Sequence, residues 1–152
     1  MDVVETHFEL YCKYRGGIEA LIDKQLLKRK RTEMTKGIWL WGGTGVGKSH
    51  KAFELAGDDV YVWTDDNGWW DGYTGQKTVV INDFRGSIKY NEMLQMVDKW
   101  PYSVRRRGKV PMPFTSELVI VTSSMKPEDV YYNISETDSI QQLLRRFEVV
   151  HM

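Results

Sequence analysis

The sequence predicts an α/β fold built on a mainly parallel sheet. Three features point to it. Short, almost wholly apolar runs alternate along the chain with stretches of helical periodicity. One run, Gly37-Ile38-Trp39-Leu40-Trp41, passes directly into a glycine-rich turn and then a helical stretch. Another, Leu118-Val119-Ile120-Val121, has no polar position at all. A strand that is apolar on both faces needs cover on both, and a parallel sheet flanked by helices supplies it.

Taken in order, Thr6-His7-Phe8-Glu9 has the spacing of a capping box and is expected to open a helix. Gly16-Gly17 should interrupt that helix. Ile18, Leu21, Ile22 and Leu26 then recur at helical spacing and end in Lys28-Arg29-Lys30-Arg31, read as a solvated helix end with nuclear import as the lesser alternative. Residues 1–36 thus form a helical appendage with a linker, and residues 37–152 the main domain. There, Gly37 to Trp41 is the first strand, and a helix of two to three turns follows Ser49 and stops near Gly57. Val60-Tyr61-Val62-Trp63 and Thr78-Val79-Val80-Ile81 are the second and third strands. Asn91 to Lys99 places Met93, Leu94 and Val97 on one helical face before Pro101 ends it. Val104 to Phe114, with a basic tip at Arg107-Gly108-Lys109, reads as a hairpin. Leu118 to Val121 is the fourth strand, and Ser139 to Phe147 the last helix, with Ile140, Leu143, Leu144 and Phe147 inward.

The chain has 152 residues, enough for one domain with a core. Twenty-one Lys and Arg balance 21 Asp and Glu, so net charge says nothing about a nucleic-acid partner, and any such signal must come from local clusters. A single cysteine, Cys12, excludes an intrachain disulfide and a Cys-based zinc site and fits a reducing compartment. No apolar run has the length of a membrane span, and the start of the chain does not read as a signal peptide. Cytosol or nucleus is the expected location.

Gly42-Gly43-Thr44-Gly45-Val46-Gly47-Lys48-Ser49 matches the phosphate-binding P-loop pattern at every position. Its glycines let the backbone turn sharply and aim N–H groups at phosphate oxygens. A helix starting at Lys48 adds the positive end of its dipole there. In such a loop Lys48 serves the β- and γ-phosphates and the Ser49 hydroxyl ligates Mg²⁺. By average residue usage the fixed positions arise by chance in roughly one chain per hundred or fewer, and the required strand and helix flank them here. The acidic partner is sought at a neighbouring strand end, where Asp83 follows Ile81-Asn82 and can hold Mg²⁺ through water or polarise the attacking water. ATP and Mg²⁺ are therefore the expected ligands.

Trp69-Trp70-Asp71-Gly72-Tyr73, with Gly75-Gln76 and Val79-Val80-Ile81-Asn82-Asp83-Phe84, resembles the replication-associated (Rep) proteins of circovirus-like single-stranded DNA viruses. Further stretches are similar: Glu5 to Ile18, Ile38-Trp39-Leu40-Trp41-Gly42, Pro113-Phe114-Thr115-Ser116, Val121-Thr122-Ser123 and Leu143-Leu144-Arg145-Arg146. The likeness runs through nearly the whole chain in order. It implies a superfamily 3 helicase of the AAA+ class, a P-loop NTPase working as a ring homo-oligomer, usually a hexamer, on single-stranded DNA in the host nucleus. Residues 1–36 would then be an oligomerisation segment. Family members also carry an N-terminal nuclease with a His-rich metal site; nothing in this sequence matches it, so nicking is not expected of this chain.

The resemblance also assigns roles. Arg146, or else Arg145, would be the arginine that completes a neighbouring subunit's site, although cations at a helix end also simply suit the dipole. Arg105, Arg107 and Lys109 would line the ring's channel as DNA contacts, the alternative being a solvated basic loop. Trp69, Trp70 and Tyr73 read first as core or interface anchors, with base stacking second. Two positions depart from the family pattern. Asn82 stands where an acid is common, and Ser124 stands where motif C carries Asn, so Ser124 is the candidate to hydrogen-bond the γ-phosphate and water. The function expected is an ATP-dependent helicase or translocase domain of a rolling-circle replication initiator. The rivals are a small P-loop kinase and a nucleotide-gated DNA-binding assembly module with weak hydrolysis.

Overall fold

In a computed structural model, described for residues 15–134 and 139–152, the main domain is a five-stranded parallel sheet with helices on both faces. The elements are α1 (Arg15–Leu26), β1 (Lys36–Trp41), α2 (Lys48–Ala56), β2 (Val60–Trp63), β3 (Thr78–Ile81), α3 (Tyr90–Met96), β4 (Ser103–Arg106), β5 (Lys109–Pro113), β6 (Leu118–Ser123), α4 (Pro127–Val130), α5 (Ile140–Leu144) and β7 (Phe147–His151). Strand order is β2-β3-β6-β1-β7, and β4 and β5 form a separate antiparallel hairpin. No helix among the described residues is long and apolar enough to cross a membrane.

The apolar runs set this arrangement. All four residues of β3 are buried, as are Val119 to Ser123 of β6. A fully buried Val or Ile contributes roughly 1.5–3 kcal/mol, so these two strands take the middle. Leu40, Val80 and Ile120 pack under α2 through Ala52 on one face. Trp39, Val79, Ile81, Val119 and Val121 face α3, α5 and the base of the hairpin on the other. Gly37 is needed at the β1–β7 contact, because a Cβ there would lie 2.6 Å from the Phe147 ring.

Several expectations need correction. Phe147 turns inward as expected, but it opens β7 instead of closing the last helix, which ends at Leu144. Hydrogen bonding to β1, from Gly37↔Phe147 to Trp41↔His151, draws Phe147-Glu148-Val149-Val150-His151 into the sheet. Gly16 and Gly17 lie within α1 and do not interrupt it. The helix expected from Thr6 lies outside the described residues. Arg31, read as part of a solvated run, is half-buried. It donates to the carbonyls of Met96 (2.7 Å), Gln95 (2.9 Å) and Trp100 and lies 5.5 Å from the Phe114 ring centroid. Its withdrawal from water lowers its pKa from the ordinary value.

The appendage is bonded to the domain by a second arginine. Arg106, 6% exposed, donates to both oxygens of Asp23 of α1 (2.6 and 3.3 Å) and to the Val110 carbonyl at 2.9 Å. The hydrogen bond from Arg106 holds the Asp23 carboxyl below its ordinary pKa, outweighing desolvation. A depressed carboxylate stabilises the fold above its unfolded pKa and loses that contribution as pH falls through the folded value. Asp23→Asn should cost on the order of 2–3 kcal/mol, because it leaves Arg106 buried without its counter-charge. A urea midpoint lowered at unchanged m-value checks this, and the difference from wild type should shrink below about pH 4.

Candidate active site

Chain connectivity selects the crevice. From the carboxyl end of β1 the chain leaves through α2 toward β2, past β6 and β3. From the carboxyl end of the adjacent β6 it leaves through α4 and α5 to β7, on the opposite side of β1. Two neighbouring strands whose connections diverge open a gap beyond their carboxyl ends, the usual ligand position in open α/β sheets. The P-loop fills one lip of that gap. Gly42 takes φ +154°, and a Cβ there would meet the Met152 carbonyl at 2.6 Å, so only glycine lets the turn pass the end of β7. Gly47, at φ +86°, caps α2 in the left-handed region.

A cavity of about 690 Å³ lies against this loop, lined by Thr44, Gly45, Gly47, Lys48 and Ser49 on one side and Asn82, Asp83, Arg85, Thr122 and Ser124 on the other. The Lys48 ammonium rests on its own loop, donating to the Gly42 and Gly43 carbonyls at 2.8 Å each. Val46 is exposed at the loop's crest.

The second lip is a hydrogen-bond chain across three elements. The Asp83 backbone N–H donates to Thr122 Oγ1 at 2.7 Å, Thr122 Oγ1 donates to Asn82 Oδ1 at 2.8 Å, and Ser49 Oγ donates to the same Oδ1 at 2.8 Å. Asp83 sits at φ +55°, a left-handed conformation Asp tolerates better than most residues. Its carboxylate lies 3.4 Å from exposed Arg85. The residue bonded to Ser49 is therefore Asn82, a neighbour that sequence reading treated only as a missing acid, while Asp83 lines the same cavity beside it. Of the two serines at the end of β6 and just beyond it, Ser123 is buried and spent on the Phe84 carbonyl (2.8 Å) and the Met125 N–H (3.1 Å), whereas Ser124 lines the cavity. Ser49 Oγ and the Asp83 carboxylate line the same cavity as hard oxygen donors with one formal charge, which fits a Mg²⁺ that takes its other ligands from phosphate and water.

The remaining candidates lie elsewhere. Arg145 and Arg146 precede β7 at the amino end of β1, where the Gly37 N–H donates to the Arg146 carbonyl (3.2 Å). That is the length of a strand, about 16 Å, from the chain's own P-loop. Arg145 is exposed; Arg146 is partly buried and 3.4 Å from Asp98. On the hairpin, Arg107 is held by the β2–β3 loop: its backbone N–H and Nε donate to Asp71 at 2.8 and 3.1 Å, and its Nη2 to Asp66. Arg105 lies 5.2 Å from the centroid of Trp69, and Lys109 is exposed, its charge felt by Asp23 but its side chain in no hydrogen bond or salt bridge among the described residues. Trp70 and Tyr73 are core residues. Their rings pack with Tyr61 and Phe114 at 5.3–6.0 Å, and the Tyr73 hydroxyl meets Ser116 Oγ at 2.7 Å.

A parallel sheet whose first strand ends in a P-loop, with a polar strand end facing it across β6, defines a P-loop nucleotide-binding fold. A family model described as RNA helicase matches residues 38–125, more than half of the chain. The chain is 39% identical over 146 residues to the Replication-associated protein of Beak and feather disease virus, covering 96% of this chain and 48% of that relative. It is 36% identical over 147 residues to that of Pigeon circovirus (95% and 44%) and 34% identical over 131 residues to that of Canary circovirus (86% and 44%). The chain belongs to this helicase family, as a superfamily 3 helicase domain of the circovirus-like Rep type. It spans about half the length of the curated relatives it matches.

Proposed function

We propose that the chain is an ATP-hydrolysing motor that moves along single-stranded DNA as the unwinding part of a viral replication initiator. The observation that supports this best is the convergence of Lys48, Ser49, Asp83 and Ser124 on one cavity, with the exposed cations Arg145 and Lys109 outside it. A site built this way stabilises charge on a transferring phosphoryl group but lacks one cation, which a ring neighbour can lend. The P-loop N–H groups and Lys48 bind the triphosphate. Bound Mg²⁺, held at Ser49 and Asp83, would neutralise charge on the β- and γ-oxygens. Asp83 orients the attacking water and accepts its proton, and the Ser124 hydroxyl positions that water. Arg145 or Arg146 acts in the next subunit's site, with residues 1–36 contributing to ring assembly, and a hexamer in the host nucleus follows the family. Arg105, Lys109 and, once released, Arg107 follow the DNA backbone.

Lys48→Ala and Asp83→Asn should each lower turnover about a hundredfold or more, measured as phosphate release with single-stranded DNA, with RNA and with neither. Stimulation by DNA supports the motor. Indifference to both polymers would favour a P-loop kinase, and absence of turnover an assembly module. The Arg145→Ala/Arg146→Ala double variant should lose roughly a thousandfold in turnover while its nucleotide affinity stays near wild type.

Asp66 and Asp71 occupy Arg107 where phosphate would. Asp66→Asn/Asp71→Asn should tighten single-stranded DNA binding several-fold, since each exposed pair is worth about 0.2–1 kcal/mol. It should also steepen the dependence of log affinity on log salt by about 0.7. Fluorescence anisotropy with a labelled oligonucleotide across a salt series measures both, and Arg107→Ala should cancel the gain.

A further inference from the structure

We infer that Asn82 is a phosphate-contacting residue, whose side-chain amine donates a hydrogen bond to the terminal phosphate of a bound nucleoside triphosphate. This rests on the nucleotide-binding reading above and adds a donor at the γ end of the site.

The Asn82 amide oxygen faces Thr122 and Ser49. Thr122 Oγ1 accepts the Asp83 backbone N–H and donates its own proton to Asn82 Oδ1, 2.8 Å away. The same oxygen takes the Ser49 proton at 2.8 Å. An amide oxygen has two lone pairs, and both are used. What is left is Nδ2, with two N–H donors and no hydrogen-bond partner among the described residues. Asn82 is exposed and lines the phosphate cavity, as the one side-chain amide among the described lining residues.

The surroundings identify what those donors meet. The same cavity collects the Lys48 ammonium and the P-loop backbone, a set suited to an anion. Ser49 marks the end of the site where the metal bridges the β- and γ-phosphates, so a side chain bonded to Ser49 Oγ lies at the γ end. An aspartate at position 82 could accept both hydroxyl protons equally well, but would turn a negative oxygen toward that phosphate. Asparagine keeps the two anchoring bonds and turns a donor toward it instead. Across the cavity Ser124 offers only a short hydroxyl, so Asn82 supplies the longer neutral arm.

The test is isothermal titration of the whole chain with the β,γ-imido analogue of ATP and with ADP, both at saturating Mg²⁺. Wild type should prefer the triphosphate analogue. Asn82→Asp should weaken the analogue by about tenfold or more and change ADP affinity by less than about threefold; Asn82→Ala should also lose the preference. Retained ADP binding shows that each variant is folded. The opposite result overturns the inference: if Asn82 serves only the metal side, Asn82→Asp adds a charge there and tightens the Mg²⁺-bound analogue, or leaves it unchanged. Failure of wild type to bind either nucleotide is a different outcome, which removes the underlying nucleotide reading and this inference with it.

Discussion

Side-by-side parallel pairing of β1, β6 and β3 is the constraint on which the rest depends. β1 pairs with β6 from Lys36↔Leu118 to Trp41↔Ser123, and β3 with β6 from Thr78↔Leu118 to Ile81↔Val121. Because the three strands end within two residues of one another, the P-loop, Asn82-Asp83 and Thr122 to Ser124 gather at one edge. A slip of one residue would exchange the faces of a strand, turning Val80 or Ile120 away from α2 and breaking the Ser49–Asn82–Thr122 contacts together. Burial on both faces makes that slip costly, so the apolar strands that hold the sheet also hold the polar groups in register.

The same edge carries an unusual distribution of charge. Among the described residues, Asp83 is the only carboxylate lining the P-loop cavity, against Lys48 and Arg85. On the proposed function, the anionic character that a metal ion requires arrives mostly with the nucleotide. A neutral amide joined to Ser49 fits such a site, because it anchors the hydroxyl without repelling the triphosphate.

Away from the cavity, arginines act mainly as structural ties. Arg31 bridges the linker to the end of α3 and the Trp100 carbonyl, Arg106 bonds the hairpin to α1, and Arg107 bonds the hairpin tip to the β2–β3 loop. That loop begins at Trp63, whose strand partner Ile81 immediately precedes Asn82. Hairpin, β2–β3 loop and the carboxyl edge of the sheet are thus joined by contacts and strand pairing.

Composition and periodicity were enough to read the strands β1, β2, β3 and β6, the helix after the P-loop and the hairpin, because each is a local pattern: an apolar run, a glycine stop, a basic tip between β-formers. The P-loop was legible for the same reason, its chemistry being packed into eight consecutive residues. Strand β7 was not, since Phe147 to His151 extend only through hydrogen bonds to β1, more than a hundred residues away. Nor was the division of labour among the cations. Whether Arg31, Arg106 or Arg107 is free or held depends on Met96, Asp23, Asp66 and Asp71, which only folding brings near. The local sequence determined which groups the chain possesses and which segments are strand or helix. Tertiary structure alone decided which polar atoms are used up and which remain to meet a ligand, because a hydrogen bond needs its partner within about 3 Å and sequence distance does not measure that.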